Sequence, residues 1–368
     1  MRIQTVLVNA AVIAASAFAP NAVYAGRGYT QHNLVSDVTC SGDQSDSHLV
    51  NAWGLVAGPA TPWWVNANGT GTSLIFNAAG VPASLVVTVP VVSGAQGPST
   101  PTGIAFNGTP DFEVGPGSPA LFIFATEDGT ISGWSPNLTD RTQAAIKVPN
   151  TTSAVYKGIA IGSLNGKNLL YAANFKSGAI DVFDANYVAT TVPGGFKDST
   201  IPSDFAPFNI QNIGGWLYVT FAKQKAGSDD DQAGPGLGFV DQFTPDGNLV
   251  MRLEHGLWMN APWGVALAPA TFGEASGRLL VGNFGSGEIA TFDPDTGIFQ
   301  GMLMGRRHPI KIDGLWGIAF GNGGNAGPVD TLYFTAGPGD ESHGLFGTLT
   351  PSAPPAGSSD GSSSSGGN

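Results

Sequence analysis

The sequence predicts an all-β chain closed into a six-bladed propeller of four-stranded antiparallel blades. One short motif, an aromatic or polar residue followed by Gly and then a β-branched or aliphatic residue, recurs along the chain. It reads Trp53-Gly54-Leu55, Thr102-Gly103-Ile104, Lys157-Gly158-Ile159, Trp263-Gly264-Val265 and Trp316-Gly317-Ile318, with a degenerate copy, Phe208-Asn209-Ile210, in the gap. The six copies lie 49 to 55 residues apart, the length of one propeller blade. Composition agrees: 53 Gly and 26 Pro in 368 residues, with only 11% charged, suit short strands cut by turns rather than helices.

The chain opens with a basic start at Arg2, an apolar stretch from Thr5 to about Ala19, and small residues at Val23 and Ala25. This is the pattern of a cleaved secretory signal over residues 1–25, and the apolar run is too short for the roughly 20 residues a bilayer span needs. The product is expected to be exported, periplasmic or secreted. Residues 26–350 are expected to form the propeller, and 351–368, made of Pro, Ser and Gly, a low-complexity tail.

Within each repeat a second apolar run, a Gly-containing turn and a third run follow the marker. Residues 169–175, the turn Lys176-Ser177-Gly178 and residues 179–184 match residues 279–284, the turn Gly285-Ser286-Gly287 and residues 288–293; each pair reads as a β-hairpin. Fourth strands are expected at 84–89, 144–148 and 248–253. The last repeat has no fourth strand of its own, so residues 33–38, upstream of the first marker, are expected to supply it and leave no open edge. Residues 111–119 and 224–237 read as long loops.

The segments Asn33-Leu34-Val35-Ser36-Asp37, Leu49-Val50-Asn51-Ala52-Trp53-Gly54-Leu55, Pro101-Thr102-Gly103-Ile104 and Phe124 to Trp134 resemble a family of uncharacterised exported bacterial proteins, some ending in a Pro-Glu-Pro sorting signal. No such signal follows Ser352 here, so the resemblance implies a released propeller, and it brings no known reaction. In architecture the blades also resemble six-bladed NHL-repeat and lactonase-like propellers, an analogy of fold alone.

Net charge is −12 with no run of Lys or Arg, which argues against nucleic acid and anionic membranes as partners. Cys40 is the only cysteine, so no intrachain disulfide forms. The five histidines have no metal-ligand spacing, and no serine-hydrolase elbow is present. Near the end of the second strand of blades one, three and five stand Asn66, Asn174 and Asn283. Three amide oxygens about a six-fold axis would suit Ca²⁺, and equally they would serve as strand-end caps.

A calcium-dependent lactonase-like hydrolase also needs a carboxylate as base, for which Glu127 and Asp128 are the nearest candidates, although Asp128-Gly129 reads first as a turn. Trp53, Trp263 and Trp316 would offer stacking faces to a sugar or other flat ligand, or fill the wedge between blades. Asp229, Asp230 and Asp231 would bind Ca²⁺ weakly at most, since the Gly and Glu spacing of a calcium loop is missing, and they read first as a solvated polar insert. The preferred expectation is a monomeric binding scaffold for a small molecule, glycan or protein at one rim, with the calcium-dependent hydrolase as alternative.

Overall fold

A computed structural model describes residues 28–149 and 154–352. The expected signal segment, 1–25, and the tail from 353 onward lie outside the described residues. Six sheets succeed one another, each with its innermost strand built on one marker motif. Those strands are Ala52–Val56, Pro101–Phe106, Tyr156–Leu164, Phe205–Ile213, Pro262–Leu267 and Leu315–Phe320. Each touches the next, and the last touches the first, so the ring is closed.

In the third blade the order is Tyr156–Leu164, Lys167–Asn174, Ala179–Phe183 and Ala189–Thr190, antiparallel throughout. The hairpin turn after its second strand needs a left-handed residue, supplied by Gly178 at φ 69°, and Gly287 at φ 72° does the same in blade five.

The ring closes as the missing fourth strand required. Tyr29–Ser36 pairs antiparallel with Leu345–Pro351, from Tyr29 opposite Pro351 to Ser36 opposite Leu345, with an irregularity between Asn33 and Val35. The closing strand thus lies at 29–36 instead of 33–38, because Asp37 turns away to bond His343 and the Gly344 amide. Gln44–Ser45 then adds a short parallel edge outside it.

Two further expectations are corrected. The outer strand of blade one shrinks to Val87–Thr88, and the insert at 111–119 carries a small hairpin, Glu113–Gly115 with Ser118–Pro119. Among the described residues no helix is long and apolar enough to cross a membrane.

Aromatic side chains fill the wedges between blades. Trp64 of blade one stacks on Phe122 of blade two at 4.1 Å and meets Trp134 at 4.8 Å; Tyr171, Phe196 and Phe243 do the same between blades three and four. Near the axis the wedge narrows to backbone contact, which is why the marker is Gly. A methyl group on Gly103 would lie 2.7 Å from the Gly158 Cα and the Ile159 nitrogen, and one on Gly264 would lie 2.6 Å from the Trp316 carbonyl oxygen.

Side-chain hydrogen bonds to the neighbouring innermost strand add to this contact. Asn66 Nδ2 donates to the carbonyls of Thr102 and Gly103 at 2.9 and 3.2 Å. Thr102 Oγ1 donates to Tyr156 O at 2.7 Å, and Asn209 Nδ2 to Trp263 O at 2.8 Å. The axial space they enclose, lined by residues such as Leu55, Ile104, Ile159 and Gln211, is only about 10 Å³, room for about one water.

Candidate functional site

The residue before each marker faces the axis, and together these six make one tier: Trp53, Thr102, Lys157, Phe208, Trp263 and Trp316. None is more than 5% exposed. Trp53 stacks on Trp316 with ring centres 3.7 Å apart, Phe284 stacks on Trp316 at 3.9 Å, and Trp263 meets both tryptophans edge-on at 6.4 and 5.9 Å. The tier is an aromatic plug that closes the axis at the end where the innermost strands begin.

Lys157 is the one cation of this tier. Its side chain is 4% exposed, and its Nζ lies 5.3 Å from the Trp53 ring centre and 5.8 Å from that of Phe175. Burying an ammonium demands a partner, and Glu127 Oε1 of the neighbouring blade provides one at 2.5 Å. Glu127 Oε2 accepts from Asn68 Nδ2 at 2.9 Å. Asn51 Nδ2 donates to Asn68 Oδ1 at 3.4 Å and to Glu341 Oε1 at 3.1 Å. Two plug tryptophans join this network from below: Trp316 Nε1 donates to Asn51 Oδ1 at 2.9 Å, and Trp263 Nε1 to the Lys157 carbonyl at 3.0 Å. The third, Trp53 Nε1, is buried without a partner among the described residues.

Asp231, from the insert between the second and third strands of blade four, completes the cluster electrostatically. Burial opposes the Lys157 charge, but Glu127, aided by Asp230 and Asp231, outweighs it and holds the ammonium above the usual lysine range. Burial pushes the Asp231 carboxyl up to about 6 against the pull of Lys157. It pushes Glu341 up to about 7; the Asn51 hydrogen bond and Lys157 oppose the rise, and the charges of Glu127 and Asp231 add to it. The carboxyl groups of Glu127, Asp230, Asp231 and Glu341 therefore share one ammonium over an apolar floor. The backbone is strained at the same place, with Asn51, Asp340 and Glu341 left-handed at φ 48°, 57° and 63°.

The residues singled out from sequence divide around this mouth. Glu127 is in the network. Asp128 is not: its Oδ2 accepts from the Thr100 amide and hydroxyl at 2.9 and 3.1 Å and fastens the entry of blade two. Trp53, Trp263 and Trp316 do gather, but as a buried plug, so they offer no open stacking face. Of the acidic insert, Asp229 pairs with Lys176 at 3.4 Å and Asp230 accepts from Ser228 at 2.7 Å, while the carboxyl of Asp231 is raised by burial and lowered by the charge of Lys157.

The three asparagines make no hydrogen bond to one another among the described residues. Asn66 Nδ2 is spent on blade two, as described, while its Oδ1 is buried without a partner among the described residues. Asn174 Oδ1 accepts from the amides of Val155 and Ser177 while its Nδ2 donates to Asp181. Asn283 Oδ1 accepts from the Asn260 amide while its Nδ2 donates to the Glu288 carbonyl. Each amide nitrogen donates within its own blade or to the next. Among the described residues no group of three or more His, Cys, Asp or Glu is placed to hold a metal ion.

Lys157, Asp231, Glu341 and Asn51 were not found from sequence. Lys157 alone carried a signal, a charge at a repeat position that is otherwise aromatic or Thr.

The fold and this axial mouth define a six-bladed β-propeller. Solved structures agree in fold: a streptogramin B lyase superposes with TM-score 0.50 at 12% identity, over 89% of this chain and 99% of that one. A protein of unknown function from Bacteroides thetaiotaomicron gives 0.55 at 11% identity, over 88% and 76%. No protein-family model matches the chain.

Two uncharacterized proteins of Acanthamoeba polyphaga mimivirus are 31% and 30% identical to it, each over 86% of this chain and over 78% and 84% of their own lengths. The chain belongs to the family of these uncharacterized proteins.

Proposed function

We propose that the protein is an exported binding propeller, monomeric and non-enzymatic, that holds a small polar molecule or the end of a glycan at the axial mouth. The observation that carries this reading is the cluster of Glu127, Lys157, Asp231 and Glu341, brought together from blades two, three, four and six above the plug. Such a group is a poor device for stability, since apolar side chains of similar size would hold the ring at least as well as partly buried charges do. Perturbed carboxyls and strained backbone in one polar cluster are features of a site. The signal-like pattern of residues 1–25 supports export.

The test is a thermal-shift screen of small polar metabolites and short glycans against the wild type and the double variant Asp231→Asn/Glu341→Gln. Compounds that raise the midpoint of the wild type by several degrees and leave the variant unmoved bind at the mouth. Compounds that stabilise both equally bind elsewhere, and the proposal is then wrong.

A further inference from the structure

We infer that Asn165-Gly166 is a site of spontaneous deamidation. Of the four Asn-Gly pairs in the chain it is the one the fold leaves open, and its isoaspartyl product loosens blade three at the rim opposite the axial mouth.

The pairs are Asn68-Gly69, Asn107-Gly108, Asn165-Gly166 and Asn322-Gly323. In each, the glycine nitrogen reaches the asparagine side chain without a Cβ in the way. The fold then selects among them, because the reaction needs an uncommitted side-chain amide, an uncommitted glycine N–H and room for the backbone to rotate.

Three pairs are closed on these counts. Asn68 is 8% exposed, its Nδ2 donates to Glu127 Oε2 at 2.9 Å, and the Gly69 N–H donates to Val50 O at 3.1 Å. Asn107 is 2% exposed; its Nδ2 donates to the carbonyls of Thr109, Asp111 and Ala120, and its Oδ1 accepts from the Thr109 amide and hydroxyl. Asn322 Nδ2 donates to the carbonyls of Gly58 and Thr61 at 2.8 and 2.9 Å, its Oδ1 accepts from the Gly324 and Ala326 amides, and the Gly323 N–H donates to Gly327 O at 2.8 Å.

Asn165-Gly166 is the tip of a hairpin closed by Leu164 opposite Lys167. Both residues are left-handed, at φ 51° and 76°, as a two-residue turn of this kind requires. Both are exposed, and neither the Asn165 side chain nor the Gly166 N–H has a hydrogen-bond partner among the described residues. A Cβ built on Gly166 would meet nothing within 4 Å, whereas one on Gly69 would lie 2.6 Å from Val50 Cγ1. No packed neighbour resists the rotation out of the turn that the reaction requires.

The Gly166 nitrogen gives up its proton to base and bonds to the side-chain carbonyl carbon of Asn165, and ammonia leaves as a cyclic imide closes. Water opens the imide at the side-chain carbonyl to give aspartate, or at the main-chain carbonyl to give isoaspartate. The sum is amide plus water to carboxylate plus ammonium, with no change of oxidation state. Isoaspartate routes the main chain through the side-chain carbon and adds one atom to the turn, which the Leu164–Lys167 register cannot keep. The same segment ties blade three to its neighbours, through Asn168 Nδ2 to Asp111 Oδ2 at 2.9 Å and Asn212 Nδ2 to Ile161 O at 2.8 Å. The turn follows the far end of the innermost strand Tyr156–Leu164, whose start is at the mouth, so the reaction does not depend on any ligand held there.

The experiment is ageing of the purified protein in mildly alkaline buffer, folded and, in parallel, unfolded in urea. Proteolytic digestion, mass spectrometry and separation of aspartyl from isoaspartyl peptides then give the rate at each pair. Folded protein is expected to convert Asn165 at least tenfold faster than Asn68, Asn107 or Asn322, and unfolded chain to convert all four at similar rates. Gly166→Ala, whose folding is verified by its thermal transition, should slow conversion of Asn165 at least tenfold and leave the other three unchanged. The isoaspartyl protein, isolated by ion exchange, should exchange the amide hydrogens of residues 161–170 faster than unaged protein. Conversion of Asn165 in folded protein no faster than at the three packed pairs overturns the inference. A preference for Asn165 that persists unchanged in urea assigns it to local sequence and also overturns the inference, and unaltered exchange in the isoaspartyl protein overturns the loosening of blade three.

Discussion

Lys157 Nζ lies 5.3 Å from the centre of the Trp53 ring, and the two residues occupy the same position of the repeat in blades three and one. A structural rule that places an aromatic ring at four of six sites has admitted a cation at one, over the face of one of those rings. The Glu127 carboxylate of blade two makes this tolerable, and the polar mouth is built outward from that pair.

Removing the ammonium therefore leaves Glu127 supported by Asn68 alone. Lys157→Met is expected to destabilise the protein by on the order of 2–3 kcal/mol, below the range for a fully buried pair because 25% of the Glu127 side chain is exposed. Lys157→Met/Glu127→Gln should recover most of the loss. Denaturant unfolding of the four members of this double-mutant cycle checks it.

The charge state of Glu341 couples stability to pH. Its folded value is raised to about 7 from 4.5, so the folded state keeps a proton that the unfolded chain gives up. Its contribution is fully present below about 4.5 and is lost as pH rises through about 7. Glu341→Gln should leave the thermal midpoint little changed at pH 4.5 and raise it relative to wild type at pH 8. Scanning calorimetry across that range decides the matter.

Blade contact at the axis makes a sharper mutational prediction. In Gly103→Ala the added methyl meets backbone atoms of Gly158 and Ile159 at 2.7 Å, and backbone cannot rotate away as a side chain would. The blades must separate, at a cost of about 1–3 kcal/mol or more. Gly166→Ala, at an open turn with nothing within 4 Å but with φ +76°, should cost only about the 1–2 kcal/mol of a left-handed backbone. Urea midpoints of the two variants should fall in that order.

Closure depends on Tyr29–Ser36. Deleting residues 28–36 removes the whole antiparallel pairing to Leu345–Pro351 and the hydrogen bond of the buried Tyr29 hydroxyl to Phe272 O at 2.6 Å. The shortened protein should lose its single cooperative transition and bind a hydrophobic dye, whereas an intact transition would mean that the ring closes without that strand.

The ring was legible in the sequence because symmetry repeats its demands. Each blade must bring one residue without a side chain to the axis, so the Gly of Gly54, Gly103, Gly158, Gly264 and Gly317 recurs, and even the exception, Asn209, uses its amide on Trp263. The open sixth blade pointed to a strand from the start of the chain for the same reason. The mouth was not legible, because it is the part that breaks the symmetry. Asn51, Glu127, Asp231 and Glu341 hold no common place in the repeat, and only closure of the ring brings residue 51 against residue 341. The alternate asparagines share a repeat position, and each also makes at least one hydrogen bond to backbone.

The most direct test of the central claim is crystallographic: diffraction from crystals grown with the strongest stabiliser found in the screen. The account predicts ligand density over the Trp53–Trp316 plug, in contact with Asp231, Glu341 and Lys157. Density on the opposite face or at an outer blade edge, with those side chains unmoved, would contradict it.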